Sequence, residues 1–257
     1  MGKSTKARQL SLVFGNKHGG WRRGAGRKPK GAQAGVAHRP RVEFVRRSPV
    51  FVTQRIRAGC PSLRGSAVLA LFRELVTRLA SDELAVVHWS LLSNHMHLIV
   101  EADDSVVLAR KLGGLLGEFA KRLNRLWQRS RPVFPERFDA RVLTTPLAMR
   151  TALIYTLANG RKHGAWRGRG PDKLSSGREF DGWSDWVAES SSLPKAKTWL
   201  LRVGWRKHGR FSVRVCPRTE EEGWEEGLHR ARRATHAPRP AVHRHRLLRE
   251  AANRAPV

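Results

Sequence analysis

Acidic residues are scarce in this chain. Only 21 Asp and Glu stand against 50 Lys and Arg in 257 residues, a formal net charge of +29 with a pI near 11.7. Such a field repels cations and attracts polyanions, so nucleic acid is the expected partner. An anionic membrane surface fits less well, because no long basic amphipathic helix stands out. Long apolar runs are missing too: nothing reaches the roughly 18 apolar residues of a membrane span, so no membrane partner is expected. Met1–Lys6 lacks the apolar core of a signal peptide, and Lys6 breaks the myristoylation pattern. Cysteine is nearly absent. Cys60 and Cys216 lie far apart, without paired metal spacing, which fits a reduced cytoplasmic setting rather than a disulfide framework. Tyrosine is rarer still: Tyr155 is the only one.

What is present divides the chain. Residues 1–40 are dense in Gly, Lys and Arg and read as a flexible basic arm. Within the arm, Gly26-Arg27-Lys28-Pro29 is reminiscent of minor-groove hooks, making Arg27 and Lys28 candidate DNA contacts. From about residue 48 the pattern turns globular. Val50, Val52, Gln54 and Ile56 alternate with Phe51, Thr53, Arg55 and Arg57 as in a strand, and Ser66 is placed to cap a helix carrying Leu69, Phe72, Leu75, Val76 and Leu79. A hairpin follows over residues 86–101. Next comes an amphipathic segment, Ser105 to Arg129, with Leu108, Leu112, Leu115, Leu116, Phe119, Leu123 and Leu126 as its stripe. Gly113, Gly114 and Gly117 argue against a straight helix there. The outer face carries Arg110, Lys111, Lys121, Arg122 and Arg125, of which Arg122 and Arg125 are candidate phosphate contacts. A last strand spans Arg137 to Leu143. The order predicts an α+β, ferredoxin-like (split βαβ) domain, with both helices on one face of an antiparallel sheet and the other face free.

The hairpin carries the chemistry. In its second strand, His95, His97, Ile99 and Glu101 share one face, while Met96, Leu98 and Val100 take the other and anchor the strand. Two imidazoles roughly 7 Å apart at the backbone on a rigid strand suit a divalent cation. His243-Arg244-His245 has the same spacing but sits in a Pro- and Arg-rich tail with no strand to pin it. Thr145-Pro146 then opens a helix running from Leu147 to about Lys162. At about 100° per residue, Leu153 and Leu157 lie roughly 160° from Tyr155, while Asn159 and Lys162 share its face. A phenol, an amide and a cation thus point together. Taken alone, Tyr155 also reads as a half-buried packing residue with a hydrogen-bonded hydroxyl.

Together, Ser93-Asn94-His95-Met96-His97-Leu98-Ile99-Val100-Glu101-Ala102 and Tyr155-Thr156-Leu157-Ala158-Asn159 resemble the signatures of single-tyrosine HUH endonucleases. Within that class the chain is most similar to the REP-associated tyrosine transposases, of the IS200-like group. Pro49-Val50-Phe51-Val52-Thr53, Tyr155 through Gly164, Asp181-Gly182-Trp183 and Trp199 through Trp205 also resemble stretches of that family, over about residues 45–210. Phe51 stands where many members carry histidine, and Asn159 where several relatives use glutamine.

The resemblance implies a bacterial, nucleoid-associated enzyme that nicks single-stranded DNA at hairpin-forming sequences through a 5′-phosphotyrosine at Tyr155. It further implies Mg²⁺ or Mn²⁺ on His95 and His97, with Asn159 as third ligand, and Lys162 as a DNA contact. Glu101 is assigned no more than a supporting role. The implied divisions are a catalytic domain over 45–165, an extension over 166–215 packing on it, and a basic tail over 216–257 with a helical turn near Leu247. A monomer or a homodimer fits. Trp166, Trp183, Trp186, Trp199 and Trp205 are expected to pack rather than stack on bases, and the aromatic sheet motif of RNA-binding relatives of this fold is absent. The alternative is a non-catalytic DNA-hairpin binder on the same fold.

Overall fold

The computed structural model describes residues 43–191 and 193–217. The basic arm with Arg27 and Lys28, and the tail beyond residue 217 with Leu247 and the His243–His245 pair, lie outside them. β1 (Ser48–Arg55) pairs antiparallel with both β3 (His95–Ala102) and β4 (Asp139–Val142), and β3 pairs antiparallel with β2 (Leu84–Leu91). The resulting order, β2-β3-β1-β4, is that of the split βαβ.

Alternation fixes which side chains face which layer. Val50, Val52, Met96, Leu98 and Val100 pack against Val68, Phe72, Leu75 and Val76 of α1 (Ser66–Arg78). On the same side lie Leu115, Leu116, Phe119 and Leu123 of α3 (Gly113–Leu126). Two local expectations change. The residue before α1 is Gly65, in extended backbone with no side-chain cap, so Ser66 is already helical. The three glycines of α3 do not break the helix, because Leu115, Leu116 and Phe119 beside them are held in the core. The irregularity falls earlier, where a π-helical turn at Leu108–Leu112 joins α2 (Ser105–Val107) to α3. Leu126, at the frayed end of α3, is 42% exposed and leaves the stripe.

The opposite face of the sheet is not free, contrary to the sequence reading. Phe51, Ala85, Val87 and Ile99 meet Met149, Leu153 and Leu157 of α4 (Pro146–Leu157), together with Phe180, Trp183, Leu201, Trp205 and Phe211 from the segment beyond. A bulge between Val86 and His88 rephases β2 there, so that His88 joins Ala85 and Val87 on this face while Trp89 and Leu91 return to the first core. Phe180 lies 5.4 Å from Trp205 and 5.5 Å from Trp183, ring centre to ring centre, at the middle of the aromatic cluster. Trp183 and Trp205 are buried packing residues, whereas Trp199 is 54% exposed. The stretch Trp199–Trp205, expected as a strand or turn, is helical: α6 (Trp199–Arg202), then a 3-10 turn over Gly204–His208.

Glu101 explains that helical start. Its carboxylate is fully buried and accepts hydrogen bonds from the backbone N–H of Lys197 at 2.7 Å and of Thr198 at 2.8 Å, and from the Thr198 hydroxyl. Arg47 Nε lies 3.5 Å away. The glutamate on the histidine face is therefore an anchor for the C-terminal segment. Glu101→Gln keeps the shape but loses the charge of these bonds, which at ~1.5–3 kcal/mol for a charged partner is expected to lower the melting temperature. Limited proteolysis is expected to show earlier cleavage between residues 193 and 217 than elsewhere in the described chain. An unchanged melt would refute the anchoring role.

Candidate active site

β3 holds His95 and His97 on the face covered by α4, at the end of the sheet where that cover stops. His97 is buried and its Nδ1 lies 3.1 Å from Thr53 Oγ1, its neighbour across β1. With the proton on Nδ1 donated to that hydroxyl, Nε2 keeps its lone pair, and Nε2 is buried with no hydrogen-bond partner among the described residues. His95 is set the same way. Its Nδ1 lies 2.7 Å from Asn94 Oδ1, an acceptor, so Nδ1 donates and Nε2 carries the lone pair. The two rings meet edge to face at 4.8 Å.

α4 brings Tyr155 to this pair. Thr145 Oγ1 accepts from Ala148 N at 3.1 Å and Pro146 occupies the first turn, so the helix starts where the sequence places it. The half-buried Tyr155 ring stands edge-on to His97 at 5.1 Å and to Phe51 at 5.9 Å. Phe51 is itself stacked on His97 at 5.3 Å. Lys162 covers the other side of Tyr155: its Nζ lies 4.5 Å from the ring centre and 3.4 Å from the hydroxyl. Tyr155, His95, His97 and Lys162 thus form one group.

The expected single helix to Lys162 is two. α4 ends at Leu157, and α5 (Asn159–Lys162) restarts after Ala158. Gly160 permits the junction: a Cβ there would stand 2.1 Å from an Asp172 carboxylate oxygen. Asn159 is fully buried, yet among the described residues neither its Oδ1 nor its Nδ2 has a hydrogen-bond partner, and the same holds for the hydroxyls of Ser90 and Thr156. Ser90 faces His97 in the β2–β3 register. Orphaned buried polar groups cost several kcal/mol unless something satisfies them. Of these groups the Asn159 Oδ1 and the His97 Nε2 are of the kind that can bind a divalent cation. Among the described residues no cluster of three or more His, Cys, Asp or Glu is arranged as a metal site. A cation would therefore take the imidazoles, the amide and oxygens from outside the chain.

Electrostatics favour neutral imidazoles. Burial, helped by the nearby His163, Arg55 and Lys162, pushes His95 down to about 4. Burial and the adjacent His95 hold His97 well below its ordinary range. At neutral pH both rings are in the form that donates to a metal. A third histidine, His88, reports on the fold instead: it packs edge-on against Phe180 at 5.2 Å and is pushed down to about 4 by burial. Below its ordinary value near 6.5 the unfolded chain takes up a proton there that the folded chain refuses. Stability is thus complete above pH 6.5 and falls as pH drops toward 4, by on the order of 3 kcal/mol from this residue alone. Thermal melts between pH 7.5 and 4.5 are expected to show that decline, and His88→Gln to flatten it. Parallel curves would contradict the assignment.

No protein-family model matches the sequence, and no curated protein does. Among solved structures, the chain is similar to a REP-associated tyrosine transposase bound to a REP hairpin, at 16% identity over 63% of this chain and 100% of that one, with a TM-score of 0.45. It is also similar to a candidate transposase from Deinococcus radiodurans R1, at 13% identity over 39% of this chain and 82% of that one, with a TM-score of 0.33. The first is of the family that the histidine and tyrosine stretches resemble.

Two proposed DNA contacts are placed away from this group. Arg122 and Arg125 ride on α3, across the sheet from the histidines, and the Arg122 guanidinium is taken up by Glu74 and Glu118. Sequence reasoning missed His163, whose ring lies 5.5 Å from His95; only its position eight residues beyond Tyr155 could have signalled it. It also missed the brace beneath the site. Arg64 makes paired bonds of 2.8 and 3.1 Å to the buried Asp172, and donates to the carbonyls of Leu91 and Ala165. It ties the turn end of the β2–β3 hairpin to the chain leaving α5.

No helix of the described residues is long and apolar enough to cross a membrane.

Proposed function

We propose that this chain is a metal-dependent single-stranded DNA endonuclease and strand transferase of the single-tyrosine HUH type, acting at hairpin-forming sequences. The observation that carries the reading is the packing of the only tyrosine edge-on against His97, with Lys162 at its hydroxyl. A phenol with a pKa near 10 is a weak nucleophile at neutral pH and needs help. Lys162, 3.4 Å from the oxygen, stabilises the phenolate as the proton leaves to solvent. The oxygen attacks the scissile phosphorus, an O–P bond forms to a 5′-phosphate, and the bond to the 3′-oxygen breaks, leaving a 3′-hydroxyl once it takes a proton. Mg²⁺ or Mn²⁺ on His95, His97 and Asn159 would polarise the phosphate, a contribution of several kcal/mol. Because the phosphotyrosine conserves the phosphodiester bond energy, rejoining needs no nucleotide cofactor. The REP hairpin of the similar transposase suggests the substrate.

Incubation with a labelled hairpin carrying single-stranded flanks and Mn²⁺ is expected to give an adduct that survives a denaturing gel and that a chelator prevents. Retardation on a native gel without any adduct would favour the non-catalytic binder.

A further inference from the structure

We propose that the open depression beside His95 is a subsite for the single-stranded DNA phosphate adjoining the one that Tyr155 attacks; its place in the reaction rests on the nicking reading above. The depression has a volume of about 390 Å³ and is lined by Arg55, Leu92, Asn94, His95 and His163 among others, with no carboxylate in its wall. That volume falls at the small end of ligand sites, which run to about 300–1,000 Å³.

What marks it is the company of its one arginine, because a cation, two imidazoles and an amide line it together. Several other arginines are held by acids: Arg47 by Asp103, Arg73 by Glu179, Arg122 by Glu74 and Glu118, Arg206 by Asp181. Arg55 makes no ion pair and no side-chain hydrogen bond among the described residues, although it is exposed and opposite His95 in the β1–β3 register. A guanidinium without a carboxylate beside it, at the rim of a cavity, is suited to a phosphate, which it can hold in a two-bond fork. His163, exposed and on the opposite rim, supplies a ring N–H as a neutral donor. A strand whose scissile phosphate sits at His95 and His97 passes over this cavity as it leaves, and Leu92 gives its base an apolar wall.

The test separates this subsite from the nicking step by removing the latter. Binding of a labelled single-stranded oligonucleotide is followed by anisotropy in a Tyr155→Phe background with chelator, across a range of salt. Arg55→Ala is expected to weaken binding about fivefold or more, and to flatten the plot of log affinity against log salt by about 0.7, the value for one phosphate contact on a single strand. His163→Ala is expected to weaken binding about threefold with the slope unchanged. Arg110→Ala, on the helical face beside Glu83, is expected to alter neither, and a blunt duplex to be bound equally by all variants. If Arg55→Ala behaves like Arg110→Ala, or if the duplex loses as much as the single strand, the subsite is refuted. Loss on Arg55→Ala alongside a wild-type protein that never forms an adduct keeps the subsite and removes the nicking reading. An adduct with no Arg55 effect does the reverse.

Discussion

Tyr155→Phe is expected to lower covalent capture of hairpin DNA by three orders of magnitude or more, to below detection on a denaturing gel. The effect is this large because no second phenol can stand in for the lost oxygen: the chain has no other tyrosine, and the hydroxyls nearest the histidines, on Ser90 and Thr53, belong to side chains fixed in the sheet. Removing a nucleophile commonly costs that much even where binding and electrostatic stabilisation survive. The substitution is also clean. Phenylalanine keeps the edge-on contacts to His97 and Phe51 and the cation over the ring, and gives up the 3.4 Å contact from Lys162. Stability and hairpin affinity are therefore expected to stay within about twofold of wild type. A Phe variant that still forms the adduct would place the nucleophile elsewhere.

The largest stability effect is expected from the brace. Arg64→Met strands the Asp172 carboxylate, 2% exposed, with only the Leu174 N–H still donating to it. Breaking a buried pair from one side costs about 3–5 kcal/mol. At about 2–4 °C per kcal/mol for a domain of this size, that is a fall of roughly 10 °C in melting temperature. Replacing both partners, Arg64→Met with Asp172→Leu, removes the stranded charge and is expected to recover part of the loss, as the buried-pair argument requires. Since Asp172 also abuts Gly160, beside Asn159, the single variant is expected to lower the Mn²⁺-dependent adduct that the proposed function calls for, as well as to weaken the fold. A double variant no better than the single would show that Arg64 acts through its bonds to the Leu91 and Ala165 carbonyls instead.

Why the sheet was legible and its cover was not follows from the kinds of signal involved. β1 and β3 alternate cleanly, so both their faces and the side chains of the histidines can be read directly from spacing. α4 announces its own start through Thr145-Pro146. The cover over the second face is built from irregular turns and a short helix, where apolar residues such as Phe180, Trp183, Leu201 and Phe211 show no period. Its organising contacts, Glu101 to the backbone of Lys197 and Thr198, span nearly a hundred residues and leave no local trace. Just after the break between α4 and α5, Gly160 lies against Asp172, a contact beyond the reach of helical spacing. Arg64 and Asp172 look like two ordinary surface charges until the fold joins them. Arg122 is the converse case: an arginine on a helix surface reads as unpaired, and only the structure reveals Glu74 beside it.

The measurement closest to the centre of this account is the mass of the DNA-linked peptide. Adduct formed with Mn²⁺ is digested first with nuclease and then with trypsin, which cuts after Arg150 and Arg161 and isolates Tyr155 on the peptide Thr151–Arg161. A 5′-linked nucleotide on Tyr155 in that peptide is the expected result. A nucleotide on any other residue, or an unmodified peptide from protein that has demonstrably cleaved the hairpin, would contradict it.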